Sequence, residues 1–72
     1  MNIFVKTTSG KTLSITIQPY NTIIELKQKI YEQFQIPVHQ QNLVYMAEVL
    51  KDGETIESAK ITDGMTIYMS KK

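Results

Sequence analysis

Cysteine, arginine and tryptophan are all absent from this 72-residue chain, and only three glycines and two prolines interrupt it. Each absence removes a class of function. Without cysteine there is no disulfide framework, no thiolate metal site and no cysteine nucleophile. A domain held by packing alone suits the cytoplasm or the nucleus, and one or both of these is the expected location. Without arginine, bidentate recognition of phosphates and base edges lacks its main donor, which argues against nucleic acid as a partner. Lys71 and Lys72 form the one basic pair, and such a pair reads first as solvated charge. No apolar run approaches a membrane span and no signal-peptide pattern precedes the first strand, so no membrane partner is expected.

What remains is ordinary for a small globular protein. Eight lysines face seven acids, and hydrophobic residues make up 42%. So short a chain carries one core, and the expectation is a single monomeric domain over residues 1–72. Within it, TTSGKT (residues 7–12) ends in the Gly-Lys-Thr that closes a phosphate-binding loop. That loop needs a first glycine five residues before Gly10 and a helix after it, so that backbone N–H groups and a helix N-terminus converge on phosphate. The glycine position holds Val5. The following TLSITI alternates Leu13, Ile15 and Ile17 with Thr12, Ser14 and Thr16, which is the period of a strand. A hairpin turn is expected there and a nucleotide is not.

The remaining pattern supplies a fold. MNIFVKT places Met1, Ile3 and Val5 on one face and Asn2, Phe4 and Lys6 on the other. Over residues 21–34 the apolar positions Ile23, Leu26, Ile30 and Phe34 recur at three- and four-residue steps, one face of a helix. Thr22 and Glu25 form a capping box, Lys27 and Lys29 are expected on the more polar side, and Ile36-Pro37 ends the helix. A strand at 41–45, a tight turn at Met46-Ala47, a brief strand at 48–49, a short helical turn capped by Thr55 over 56–59, and a last strand within 65–69 follow. The order ββαββ-(short helix)-β predicts an α+β domain, a mixed sheet with one helix across it, whose first and last strands run parallel in the middle.

Catalysis needs a base, a nucleophile and an orienting group. The sole histidine, His39, sits in a loop with no nearby acidic run, and the carboxylates show no metal-ligand spacing. No enzymatic activity, metal or cofactor is expected.

The segments MxIFVKT at 1–7, GKT at 10–12, Pro19, TI at 22–23, KxKI at 27–30, IPxxQQ at 36–41, LxY at 43–45 and LxDGxT at 50–55 resemble ubiquitin in register. The likeness covers the whole chain and implies the β-grasp fold. It also implies a core of Ile3, Val5, Leu13, Ile15, Ile17, Ile23, Leu26, Ile30, Leu43, Leu50, Ile56, Ile61, Ile67 and Met69. The ending I-x-D-G-M-T-I-Y-M at 61–69 is similar to the corresponding stretch of proteasome shuttle proteins of the ubiquilin type.

Function under this resemblance lies in protein contacts. Ubiquitin's apolar recognition face corresponds to Thr8, Val44, Tyr68 and Ser70, with Lys6, Ala47 and Glu48 around it. Ubiquitin's linkage lysines correspond in part to Lys6, Lys11, Lys27 and Lys29, whose plainer reading is solvated charge, while Gln33, Glu48 and Asp63 hold the remaining positions. Gly64 is the last glycine of the chain, so ubiquitin's Gly-Gly ending is not in it. The resemblance therefore implies a non-catalytic interaction domain, N-terminal in an adaptor, docking on ubiquitin-binding domains or proteasome receptor subunits. The alternative is a free modifier whose Gly-Gly tail is absent from this chain. Two backbone sites, Gln35 and the Met46-Ala47 turn, lack the glycine usual in such domains.

Overall fold

The computed structural model of the chain describes residues 1–71. The first two alternating segments become β1 (Asn2–Thr7) and β2 (Thr12–Thr16), paired antiparallel with Ile3 opposite Ile15 and Val5 opposite Leu13. Between them Gly10 takes φ +91°, and the Thr7 N–H donates to the Lys11 carbonyl at 2.8 Å. A strand starts directly afterwards, so Gly-Lys-Thr is hairpin chemistry here.

Helix α1 spans Ile23–Phe34. The Thr22 hydroxyl accepts the Glu25 N–H at 3.4 Å, and the Glu25 carboxylate accepts the Thr22 N–H at 2.8 Å. This reciprocal cap satisfies two N–H groups that the first turn would leave orphaned. The helix ends at Gln35, left-handed at φ +58°, whose N–H donates to the Tyr31 carbonyl at 2.7 Å. Glycine would occupy that conformation at about 1 kcal/mol less cost.

A 3₁₀ turn at Val38–Gln40, which the sequence pattern did not indicate, leads into β3 (Gln41–Tyr45). Met46 and Ala47, both left-handed at φ +52° and +68°, form the two-residue turn into β4 (Glu48–Val49). Positive φ at both central residues matches the right-handed twist of a tight hairpin, which is why such turns favour asparagine and glycine. The short helix expected at 56–59 is not formed. The Ala59 N–H reaches the Thr55 carbonyl at 3.0 Å, but the Lys60 N–H falls back on Glu57, and Lys60 at φ +61° ends the run as turns. The cap foreseen at Thr55 is present, its hydroxyl accepting the Ser58 N–H at 3.0 Å.

The final strand, β5 (Thr66–Lys71), lies at the centre of a five-stranded sheet ordered β2-β1-β5-β3-β4. It runs parallel to β1 and antiparallel to β3, the mixed sheet and single helix of a β-grasp. Helix α1 covers one face. The core between them holds the expected residues with two changes: Leu13 is only partly buried, and Tyr45 joins. Buried Gln41 ties helix to sheet, its Nε2 donating to the carbonyls of Lys27 at 2.8 Å and Ile36 at 3.0 Å.

Candidate functional site

Strand pairing puts residues from four neighbouring strands in one row on the sheet face away from α1. Lys6 of β1 is the register partner of Tyr68 of β5, Tyr68 of Val44 of β3, and Val44 of Val49 of β4. Directly paired residues share a face, and inner neighbours Ile67, Met69, Leu43 and Tyr45 alternate with them in the core. At about 4.8 Å per strand, the row is roughly 14 Å long. Tyr68 is 57% exposed and Val49 59%, while Val44 between them is half-buried. The row is therefore cationic at one end and apolar over the remaining three positions.

The other expected site residues fall around this row in different ways. Ser70 lies one outward position further along β5, opposite Asn42, and its hydroxyl accepts from Asn42 Nδ2 at 3.3 Å. That bond occupies the short side chain, so Ser70 borders the row as a fixed polar group. Glu48 pairs with Tyr45 at the sheet edge, and Ala47 sits in the turn; both are exposed. Thr8 is not brought into the row. Pairing of β1 with β5 stops at Thr7–Met69, so Thr8 enters the hairpin loop, where it lines a shallow groove with Lys11 and Ile36.

One residue of this row, Val49, and one beside it in the turn, Met46, were missed by sequence reading. Val49 had been placed in a brief strand, and its alignment with Val44 follows once the two-residue turn fixes the register. Met46, expected only as part of a tight turn, is 77% exposed. Together with Tyr68, these two are three of the five large hydrophobics left exposed among the described residues, the others being Tyr20 and Tyr31. The signal available in the sequence was composition: a tight turn carrying methionine where glycine or asparagine costs least.

The lysines divide unequally. Lys6, Lys11 and Lys29 are exposed, but Lys27 is only 5% exposed, against the expectation of a solvated charge open to modification. Position 27 follows Ile23 by four residues and precedes Ile30 by three, so its stem lies on the covered side of α1. Its ammonium reaches Asp52 Oδ1 at 2.6 Å, in the turn that leaves Leu50. Among the described residues this is the only ion pair.

At the other end of the electrostatic range is Glu25. Its carboxyl is held below the usual glutamate value, first by the Thr22 backbone N–H, then by the Thr22 hydroxyl and Asn21. This is the helix cap, not a reactive group. Among the described residues no group of three His, Cys, Asp or Glu stands together as a metal site, and no helix is long and apolar enough to cross a membrane.

Fold and face together define a ubiquitin-like β-grasp domain, and comparison with known proteins agrees. Residues 3–72 match the Ubiquitin family, and the chain belongs to it. It is 34% identical over 71 residues to the Ubiquitin domain-containing protein DSK2 of Saccharomyces cerevisiae, covering 99% of this chain and 19% of that protein. It is 28% identical to Ubiquilin of Dictyostelium discoideum, across 99% of this chain and 14% of the relative. Ubiquitin-like protein 1 of Schizosaccharomyces pombe is 30% identical over 69 residues, and there the match covers 96% of this chain and 88% of the relative. The chain thus spans less than a fifth of the first two relatives and most of the third.

Proposed function

We propose that this chain is a non-catalytic docking domain of the ubiquitin–proteasome system, working in the cytoplasm or nucleus as a monomeric unit of an adaptor. Its partner is a short amphipathic helix of a ubiquitin receptor or a proteasome receptor subunit. The observation that carries the reading is the row Lys6–Tyr68–Val44–Val49. An exposed aromatic beside branched residues, with a cation at the end, has the make-up of an interface centre and its rim. Its length of roughly 14 Å corresponds to about nine residues of helix at 1.5 Å rise. Lys6 at one end and Glu48 at the other edge would orient that helix more than bind it. Kinship with DSK2 and Ubiquilin, in which a stretch of this length is a small part of a larger protein, supports the adaptor over other settings.

A second reading is a free modifier. It is favoured by the match to Ubiquitin-like protein 1, which this chain covers almost end to end. The open reading frame beyond Lys72 separates the two: Gly-Gly close by supports the modifier, and a long continuation supports the adaptor.

The docking face is tested by amide chemical-shift titration with a helical ubiquitin-receptor peptide. Shifts are expected at 44, 49 and 68. Val44→Ala and Tyr68→Ala should each weaken binding about tenfold with the fold intact, the loss of one well-buried apolar contact. Glu32→Ala, on the exposed side of α1, should change little. Shifts confined to 25–34 would move the binding face to the helix.

A further inference from the structure

The four methionines are divided between core and solvent. Met69 is 2% exposed, Met1 and Met65 pack partly buried against the core, and Met46 is 77% exposed. Met46 opens the left-handed turn between β3 and β4. With Tyr45, Val49 and Leu50 of the hairpin and Glu54 and Ala59 of the turns that follow, it lines a groove of about 380 Å³ at the β4 edge of the sheet. Val49 in turn stands opposite Val44, so an exposed thioether lies beside Val49, the last member of the Tyr68–Val44–Val49 row. The chain has no cysteine to take oxidant first.

We propose that Met46 is an oxidation site, and that hydroperoxide-class oxidants acting there control the apolar character of the sheet face. The consequence for binding rests on the docking reading above; the chemistry does not. The thioether sulfur attacks the terminal oxygen of the hydroperoxide, an S–O bond forms, and the O–O bond breaks. Sulfur gives up two electrons, and the second oxygen leaves as water or alcohol with the proton, so the product is the sulfoxide. Return requires a two-electron reductant of the dithiol class: the thiols become a disulfide, the sulfoxide oxygen leaves as water, and the thioether is restored. Exposure provides the selectivity, because the buried sulfur of Met69 is reached only when the core opens. The sulfoxide is polar and chiral where the thioether was apolar and adaptable. A partner whose apolar residues cover Val49 must then desolvate it, and docking should weaken about tenfold.

The test treats the protein with dilute hydrogen peroxide and follows it by intact mass, peptide mapping and amide spectra. The first added oxygen is expected on the peptide containing Met46, with the fold retained and shift changes confined to 44–49 and 68. A first oxygen on Met1 or Met65, or an even spread, overturns the assignment of the site. Unchanged amides at 44, 49 and 68 after complete oxidation of Met46 overturn its control of the face. The receptor peptide is then titrated before and after treatment. Binding should fall about tenfold, return after incubation with a methionine sulfoxide reductase, and show no peroxide sensitivity in Met46→Leu. Equal affinity before and after oxidation sinks the proposed control. Failure of the docking reading shows separately, as absence of binding by the untreated protein, and takes the control of docking down with it.

Discussion

Replacing Lys27 by methionine and by alanine separates what its buried stem contributes from what its charge contributes. The residue is 5% exposed, and its ammonium lies 2.6 Å from Asp52 Oδ1, on a side chain that is itself 58% exposed. Alanine deletes the three methylenes beyond Cβ. At about 0.8 kcal/mol per buried methylene, plus a term for the space left behind, Lys27→Ala should cost about 2–4 kcal/mol. Methionine refills most of that space without a charge. What it forfeits is an ion pair with a half-solvated partner, worth about 1 kcal/mol at most, and it relieves the desolvation of a buried ammonium. Lys27→Met should therefore stay within about 1 kcal/mol of the native protein. Asp52→Ala strands the ammonium and should fall between, at about 1–2 kcal/mol. Urea denaturation reads these differences as midpoint shifts at constant slope. In a domain this small, about 2–4 kcal/mol lowers the melting temperature by roughly 10–25 °C, which a thermal scan resolves easily. If Lys27→Met is as damaging as Lys27→Ala, the charge and not the stem holds this corner, and the reasoning fails.

Three further perturbations follow from the same geometry. Ile30→Ala removes a fully buried side chain at the middle of the helix face and should cost about 2–5 kcal/mol by denaturant midpoint; a midpoint that barely moves would contradict the packing. Ala47→Gly relieves a left-handed alanine at φ +68° and should stabilise by about 0.5–1 kcal/mol, the steric relief exceeding the added freedom of the unfolded chain; a loss of stability would refute the strain. Glu25 is held below its usual pKa by Thr22, so its contribution is present above the unfolded value and lost as pH falls through the lower folded value. The stability gap between the native protein and Glu25→Gln should then narrow on acidification below about pH 4.5, and a gap independent of pH would show that the carboxylate is not the group that caps.

Periodicity made most of the fold legible before any coordinates. Ile23, Leu26 and Ile30 mark a helix because only a helix brings residues three and four apart to one side, and Thr22 with Glu25 marks its first turn because the two side chains answer the same orphaned donors. What periodicity handled poorly was lysine. Its stem is apolar and its head is not, so Lys27 reads as surface on any scale that assigns one value per residue, although its spacing from Ile23 and Ile30 is that of a core position. Tyr45 is hidden for a similar reason: two residues from inward Leu43 it lies on the same strand face and its ring is buried, but its hydroxyl makes it read as polar. The segment at 56–60 has the cap of a helix without the length, and a nucleus that costs more than one hydrogen bond returns does not propagate. The docking face needed register. Val44 and Tyr68 could be paired from the resemblance, but Val49 joins them only when the two-residue turn sets which residue of β4 meets which of β3.

The position of β5 bears on how the protein can be made. It is the last segment of the sheet to leave the ribosome, yet among the described residues it is the only strand that touches both halves, pairing β1 on one side and β3 on the other. Until Thr66–Lys71 has emerged, β1 with β2 and β3 with β4 are two separate ribbons, and a hairpin by itself is marginal in water. Folding of the domain thereby waits for Thr66–Lys71, the strand that inserts between β1 and β3 and closes the sheet beneath the helix.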